Sequence, residues 1–478
     1  MTSLSDLDDI LTTARNASAE LAATPPRDRA VYLEALADAL EANRADLTAI
    51  AGEETHLPQA RLDGELTRTA FQFRLYAREI ASGAHFDAVV DHADAEWPMG
   101  PRPDIRRSVV PLGTALVYGA SNFPFAFGVL GGDVSSAIAA GCAVVVKGHS
   151  YHPRLADAFA AVAVEALTAA GAPAGTFALI EGRDAGVAAL KDPRVRAAGF
   201  TGSLSAGRLL FDIASSRPDP IPFYGELSSL NPVFVTEAAA AARGEEIASG
   251  FVASMTNGAG QFCTKPGVLF VPAASALTEL VGTAIEGATL TTLLHEGIAR
   301  EFASNRAAVR GGSVATLPAT EIIDGMTPTP TLLVMSLAEL ELDPQSALVE
   351  CFGPSSLVVT YEKESDLLDA ARLFTGELTA TIQGENDDPI AERLVPLLAE
   401  RSGRVVWNGW PTGVTVSWAQ QHGGPYPATT APATTSMGTG AIARFQRPVA
   451  YQGVPDRFLP QELREDNGWG VPRRVDGA

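Results

Sequence analysis

Cys142-Ala143-Val144-Val145-Val146-Lys147-Gly148-His149 is the stretch on which the reading of this chain turns. Five apolar residues run unbroken into a lysine and a glycine. A run this short, bounded by turn residues, reads as a strand buried on both faces. Cys142 sits inside it and reads as an inert core thiol. The flanks repeat the theme. Residues 109–118 read as a strand, 125–140 as a helix, 153–170 as a long helix, 177–180 and 195–200 as strands, and 206–215 as a helix. Strand and helix in alternation imply a parallel sheet covered on both sides.

Upstream, residues 5–80 carry Ala, Leu and Arg at helical spacing, most regularly over 27–47 and 65–80. Residues 81–104 hold His, Asp, Pro and Trp without a period and read as loop or edge. Downstream, helices over 247–256, 277–287, 364–371 and 390–398 alternate with strands over 268–271, 357–360, 379–382 and 404–406. This is a second α/β unit. The Pro- and Gly-rich stretch 423–440 reads as an extended strap. A chain of 478 residues is too long for one core, so two or three domains are expected.

The net charge of −21 leaves no basic excess to neutralise phosphates, which argues against a nucleic-acid surface. Anionic ligands must meet local positive sites. Hydrophobic content of 46% with 19% charged residues fits a soluble globular enzyme. Three cysteines, Cys142, Cys263 and Cys351, give no disulfide framework and suit a reducing cytosol, so a cytoplasmic protein is expected. The acidic start, Met1 to Asp9, lacks the basic and apolar regions of a signal peptide, and no run of 18 apolar residues exists.

The chemistry centres on Gly260-Gln261-Phe262-Cys263-Thr264, a cysteine after a glycine turn, between a helix and a β-branched strand. Such a junction offers a thiol nucleophile and a backbone N–H for the oxyanion it creates. Glu226, 37 positions earlier, is the natural candidate for its base, and the pair suggests an enzyme working through a thioester. Asn122, in Ala120-Ser121-Asn122-Phe123-Pro124, either caps the following helix or donates its amide to an oxyanion. Gly199-Phe200-Thr201-Gly202-Ser203-Leu204-Ser205-Ala206-Gly207 follows a strand and opens a helix. It is either a plain βα turn or an anion site at a helix N-terminus, and it is not the usual G-x-G-x-x-G fingerprint. Lys147 ends an apolar strand at the edge where ligands bind in open α/β sheets, or else snorkels at the surface. Glu350-Cys351-Phe352-Gly353-Pro354 joins a carboxylate, an aromatic and a tight turn. His149 and His152 are three apart but lack a third ligand, so no metal site is expected.

The order of these elements resembles the aldehyde dehydrogenase superfamily from about residue 10 to 460. Phe200-Thr201-Gly202-Ser203, Gly260-Gln261-Phe262-Cys263 and Glu350-Cys351-Phe352-Gly353-Pro354 look like three of its signatures. Lys147-Gly148-His149, Gly258 to Gly267, Asn408 to Val414 and His422 to Ala428 are similar to the branch holding 2-oxoglutarate semialdehyde dehydrogenases and an NADP-dependent bacterial fatty aldehyde dehydrogenase.

The resemblance implies an α/β protein of two α/β domains with parallel-type sheets plus an oligomerisation extension. Residues 1–228 would form a Rossmann-like cofactor domain with an oligomerisation strand near 93–112. Residues 229–424 would form the catalytic domain, and 425–478 a strap returning to the cofactor domain and the oligomer interface. Cys263 would be the nucleophile, Asn122 and the Cys263 N–H the oxyanion donors, and Glu226 the base that activates water. Glu350 would bond the nicotinamide ribose and Phe352 pack near the ring. Gly202 and Ser203 would meet the pyrophosphate, with Gly207 in the same motif. Lys147 would meet the adenosine ribose. Many members carry Glu where this chain has Ser150; a serine does not repel a 2′-phosphate, so NADP is expected, and preferred to NAD. His149 either assists there or is a surface histidine. The Glu226 motif lacks the double glycine common in the family.

For an anionic semialdehyde the tunnel needs a cation. Arg68 and Gln72, four apart on one helix face, are the candidates, with Arg74 nearby; a solvated helix arginine is the competing reading of Arg68. The expected reaction is oxidation of 2-oxoglutarate semialdehyde to 2-oxoglutarate. The alternatives are a fatty or general aldehyde dehydrogenase, an acylating enzyme (against which Glu226 speaks), a cysteine hydrolase (for which no histidine sits in a recognisable context) and an inactive scaffold. The expected assembly is a homodimer or dimer-based homotetramer, with no nucleic-acid or membrane partner.

Overall fold

The computed structural model describes residues 1–289, 292–309, 315–317 and 325–478. The chain opens with four helices, Leu4–Ala23, Pro26–Ala42, Arg44–Thr55 and Gln59–Ser82. The first is started by a capping box, in which Ser3 and Asp6 satisfy each other's backbone donors. The fourth stops at Gly83 in the left-handed region. Its buried face runs through Leu62, Glu65, Leu66, Thr69, Gln72 and Phe73.

Five parallel strands follow in the spatial order Phe177–Ile180, Val144–Lys147, Thr114–Tyr118, Val195–Thr201, Phe223–Glu226. Their apolar sequences are buried on both faces, as the alternating pattern implies. The order reverses between Thr114–Tyr118 and Val195–Thr201. In an open α/β sheet the crevice outside that reversal is where ligands bind. The register sets Tyr118 beside Lys147 and Phe200, and Thr201 beside Glu226. Lys147, Thr201 and Glu226 therefore end on one edge of the sheet.

Two expectations for this region are corrected. The strand at 109–118 is two strands, Ile105–Pro111 and Thr114–Tyr118, in different sheets. The chain turns between them at Gly113, φ 120°. The helix at 125–140 begins only at Gly132. The N–H groups of Phe125 and Ala126 instead donate to the Glu65 carboxylate, both at 2.9 Å, so residues before Gly131 form a loop packed on the fourth helix.

The second sheet has seven strands, ordered Ala315–Leu317, Thr331–Ser336, Ser355–Tyr361, Val268–Pro272, Val233–Val235, Ala380–Gln383, Val405–Trp407. All pairs are parallel except the first. Phe234 stacks on Phe270 at 5.0 Å, with Phe374 edge-on to both. Truncating a buried Phe of this kind costs about 3–5 kcal/mol. The strands Phe223–Glu226, Val233–Val235 and Thr331–Ser336 carry no periodic signal long enough to read. A third sheet, ordered Gln446–Gln452, Ile105–Pro111, Ala88–Asp91, Arg473–Val475, joins the middle of the chain to its last residues.

Residues 411–438 form no helix or strand. This strap is held to the first sheet by Leu227 N–H donating to Ala428 O (2.8 Å) and by Gly225 and Thr430 bonding each other. Arg404 ties its start to the second sheet through the carbonyls of Pro411 and Gly413. Among the described residues no helix is long and apolar enough to cross a membrane.

Candidate active site

The thiol loop leaves helix Glu237–Thr256 through three successive left-handed residues, Gly258, Ala259 and Gly260 (φ 57°, 56° and 69°). A Cβ on Gly260 would stand 2.2 Å from the Gly353 carbonyl oxygen, so the turn lies directly against the 350–354 loop. Lys265 fastens the two: its buried Nζ donates to the carbonyls of Cys351 (2.6 Å), Gly353 (3.2 Å) and Ser355 (2.6 Å). From the other side Asn231 Nδ2 donates to the carbonyls of Cys263 (2.9 Å) and Lys265 (3.0 Å). Asn231 is itself held through its N–H by the Glu377 carboxylate at 3.0 Å. Cys263 is thus fixed by backbone contacts on both sides, and its sulfur is left to the chamber.

That chamber brings Cys263 to Glu226, as expected, and adds His422. The imidazole Nε2 of His422 lies 3.1 Å from Glu226 Oε1 and 3.6 Å from Cys263 Sγ. Ser436 Oγ donates to Glu226 Oε2 at 3.0 Å. Both His422 and Ser436 come from the strap, and His422 is fixed there by its N–H on Thr435 Oγ1 (2.9 Å). The Glu226 and His422 side chains are 4% and 1% exposed. Burial pushes the Cys263 thiol well above its ordinary range, and the Glu226 charge adds to this. Burial also opposes ionisation of Glu226, but the charge and hydrogen bond of His422, with those of Cys263 and Ser436, outweigh it and hold its carboxyl low. The resting pair is therefore a protonated thiol beside a carboxylate. The expectation that no histidine attends the thiol is corrected: His422 is brought there by the long return of the strap, which spacing along the chain cannot reveal.

Asn122 caps no helix, since the next one starts ten residues later. Its Nδ2 donates to Gln261 O at 3.1 Å, two residues before the thiol, and its carbonyl accepts from Arg61 at 2.7 Å. Phe123 packs edge-on to Phe262 at 5.0 Å, closing the same contact. A primary amide has two donor hydrogens, so one is left unspent. The Cys263 N–H is likewise taken by no acceptor among the described residues.

The reversal point of the first sheet opens a crevice of the kind that holds ligands in α/β sheets. Lys147 lies there half-buried, its Nζ 3.4 Å from Ser150 Oγ. Burial alone lowers its pKa, with no carboxylate acting on it. His149 is not a surface histidine. It is half-buried, with ring centroids 5.2 Å from His152, 5.8 Å from Tyr151 and 5.6 Å from His295, and burial and the neighbouring charges hold it neutral. The Gly202 N–H is spent on Glu226 O (3.1 Å). The first-turn N–H groups that face outward belong to Ser203, Leu204 and Ser205 at the start of helix Leu204–Ser215, which Ser203 caps. Gly207 does not reach the crevice: it is buried, and a Cβ there would stand 2.1 Å from Leu227 Cδ2, so it lets helix and strand approach. Glu350 accepts from Ser228 Oγ at 2.7 Å, burial raises its pKa to about 7, and Phe352 is half-buried beside it. A cationic side chain without an acidic partner, a helix N-terminus and a sheet reversal together fit the anionic phosphates of a dinucleotide.

On the substrate side Arg68 is half-buried, not solvated. It donates to Val414 O (3.2 Å) and to Met437 Sδ (3.1 Å), and lies 6.0 Å from the Phe127 ring, which in turn lies 6.2 Å from His422. It forms no close ion pair among the described residues; burial lowers its pKa, opposed first by the Glu65 charge and then by Cys263. Gln72 is corrected: it is 3% exposed and donates to Ser135 Oγ within the helix packing, not in the chamber. Arg74 is held by Asp38 and Glu41 on the outside. Arg61 was not anticipated. Its guanidinium lies 4.9 Å from the Phe123 ring and 4.6 Å from the Phe262 ring, next to the thiol loop.

A half-buried thiol, a carboxylate and an amide donor beside a sheet-reversal crevice define a class of oxidoreductase that works through a covalent cysteine. The sequence profile of the aldehyde dehydrogenase family matches residues 2–425. The chain is 42% identical to alpha-ketoglutaric semialdehyde dehydrogenase 2 of Azospirillum brasilense, covering 97% of this chain and 90% of that one. It is 40% identical to alpha-ketoglutaric semialdehyde dehydrogenase of Acinetobacter baylyi, covering 99% and 91%. Among solved structures, 3,6-anhydro-L-galactose dehydrogenase in complex with NAP superposes with a TM-score of 0.79 at 21% identity, covering 94% of this chain and 91% of that one. The Thermus 1-pyrroline-5-carboxylate dehydrogenase with bound NAD gives 0.78 at 21% identity, covering 94% and 86%. The chain belongs to the aldehyde dehydrogenase family, and on that ground is an NAD(P)-dependent oxidoreductase of aldehydes.

Proposed function

We propose that this protein oxidises 2-oxoglutarate semialdehyde to 2-oxoglutarate through a thioester on Cys263. The observation that carries the substrate is Arg68, a half-buried cation on the wall of the thiol chamber that feels the Glu65 charge but makes no close ion pair among the described residues. A 2-oxo acid with an aldehyde at its far end meets Arg68 with its carboxylate and Cys263 with its carbonyl. Arg61, carried two turns away on the same helix, lies over the Phe262 ring and is paired with Glu65 at 3.9 Å. The names of the two relatives at 40% identity or more support the same substrate class.

The reaction follows from the resting proton arrangement. The Cys263 proton passes to the Glu226–His422 pair as the sulfur adds to the aldehyde carbon. The oxyanion is held by Asn122 Nδ2 and the Cys263 N–H; a donor of this kind is worth about 3 kcal/mol of barrier. NADP or NAD, when bound, supplies the hydride acceptor that turns the adduct into a thioester. Lys147, Ser150 and the helix turn at Ser203 would hold its phosphates, and Glu350 and Phe352 would meet its nicotinamide end. The first proton leaves to solvent; Glu226 then takes a proton from the water that hydrolyses the thioester and passes it to the departing Cys263 sulfur, with Ser436 and His422 keeping the carboxylate aimed.

NADP is the preferred dinucleotide in this reading, because Lys147 and Ser150 present a cation and a hydroxyl where a carboxylate would repel a 2′-phosphate. Residues 1–228 serve as the cofactor domain, 229–424 as the catalytic domain and 425–478 as the returning strap. The third sheet, with the segment near 93–112, pairs subunits into a homodimer or a dimer of dimers. Free, unpaired cysteines suit a cytosolic place. The test is a panel of 2-oxoglutarate semialdehyde, succinic semialdehyde and short and long alkanals with both dinucleotides. The expected result is highest kcat/KM for 2-oxoglutarate semialdehyde with NADP. Highest kcat/KM for long alkanals would favour the fatty aldehyde alternative and remove the role given to Arg68.

A further inference from the structure

We propose that Glu226, Cys263 and His422 form a preorganised three-ligand trap for a zinc-class divalent cation, whose capture switches the enzyme off. Among the described residues this is the one place where three His, Cys, Asp or Glu donor atoms converge, all within 4.8 Å of one another. Tetrahedral zinc with bonds of about 2.3 Å to sulfur, 2.05 Å to nitrogen and 2.0 Å to oxygen sets the sulfur and nitrogen about 3.6 Å apart, and the nitrogen and oxygen about 3.3 Å apart. The distances here are 3.6 Å from Cys263 Sγ to His422 Nε2 and 3.1 Å from that nitrogen to Glu226 Oε1. Two edges of the triangle thus stand near their zinc-bound lengths, and the third, from sulfur to carboxylate, is within 4.8 Å.

The surroundings hold the ligands in place. Ser436 Oγ donates to Glu226 Oε2 (3.0 Å), leaving Oε1 for an ion. The strap is locked at His422 by its N–H on Thr435 Oγ1 and by Ser436 N–H on its carbonyl (2.8 Å). Such outer partners commonly contribute 10–100-fold in metal affinity. One sulfur, one nitrogen and one oxygen suit Zn²⁺, Cd²⁺ or Co²⁺ and not Mg²⁺ or Ca²⁺. On capture a sulfur–metal bond forms and the thiol proton leaves to buffer. The sulfur lone pair that would attack the aldehyde is then engaged. The ion is thus an inhibitor and not a cofactor, a consequence that rests on the reading of Cys263 as the nucleophile.

The test is a Co²⁺ titration of the reduced, full-length protein without aldehyde or dinucleotide, followed by Zn²⁺ competition. One equivalent of Co²⁺ should produce a sulfur-to-cobalt charge-transfer band and tetrahedral d–d bands, displaced by Zn²⁺. Cys263→Ser should lose the charge-transfer band, and His422→Gln should weaken binding more than about a hundredfold, both variants being checked for the parental circular dichroism. Micromolar Zn²⁺ should stop turnover reversibly, with a chelator restoring it, while millimolar Mg²⁺ does not. No charge-transfer band in the parent, a band unchanged in both variants, or turnover indifferent to Zn²⁺ would overturn the proposal. The titration needs no turnover, so an enzyme inert toward aldehydes but still binding Co²⁺ at these residues would refute the function and not the site.

Discussion

His422 Nε2 stands 3.1 Å from Glu226 Oε1 although the two residues are 196 positions apart. The strap closes this gap, and the thiol at 3.6 Å completes the array. His422→Gln keeps a side chain of similar reach but removes a group that accepts and returns a proton. The expected result is a fall in kcat of about a hundredfold with KM for the dinucleotide unchanged. Single-turnover kinetics that leave the rate of reduced dinucleotide formation within about twofold of the parent would assign His422 a packing role only.

The protonated state of Cys263 fixes a second outcome. Burial and the Glu226 charge raise the thiol, so the thiolate fraction of the free enzyme grows with pH and is still growing near pH 9. Alkylation by iodoacetamide should therefore keep accelerating above about pH 9.5, where an ordinary cysteine of pKa about 8.5 has levelled off. Removing the negative neighbour with Glu226→Gln should shift that rise to lower pH. A plateau already reached by neutral pH would contradict the assignment of protons.

Much of the site was legible in local sequence. Cys263, Glu226 and Asn122 stand at strand or loop ends beside Gly and Pro, where a short motif forces the geometry. His422 and Arg61 were not legible, since each reaches the thiol from a segment far away in the chain, and nothing near them in sequence marks the contact. Gln72 misled because helical spacing gives a common face but not what that face meets; Arg68 meets the chamber and Gln72, one turn on, meets Ser135. The parallel sheets were readable from continuous apolar strands. The break at Gly113 and the late start at Gly132 were not, because a glycine turn and the Glu65 carboxylate replace the expected backbone pairing.

Arg68→Met keeps the apolar stem and deletes the charge. If Arg68 meets the substrate carboxylate, kcat/KM for the semialdehyde should drop about 10–100-fold, the range for a charge-assisted hydrogen bond, while a neutral alkanal of equal length changes little. Equal losses on both substrates would reduce Arg68 to a support for Val414 and Phe127.

Cofactor choice is testable at one position. Ser150 Oγ lies 3.4 Å from Lys147 Nζ, so Ser150→Glu puts a carboxylate beside that ammonium. It should lower kcat/KM for NADP by at least about tenfold and spare NAD, through repulsion of the extra phosphate. An unchanged NADP to NAD ratio would mean that the 2′-phosphate lies elsewhere.

The backbone at Gly260 gives a stability prediction. Gly260→Ala drives a Cβ into the Gly353 carbonyl at a left-handed φ, so the thiol loop and the 350–354 loop must part. A loss of at least about 2 kcal/mol in chemical denaturation is expected, with activity falling further than stability. A variant as stable and active as the parent would remove the close approach from the account.

Acid quench during steady turnover, followed by peptide mass mapping, bears most directly on whether a sulfur–acyl bond forms. The expected result is one acyl group on the peptide that contains Cys263. In Cys263→Ala no adduct should form, and reduced dinucleotide should appear at less than about a thousandth of the parental rate. An acyl group on another residue, or brisk dinucleotide reduction by the Ala variant, would contradict covalent catalysis at Cys263.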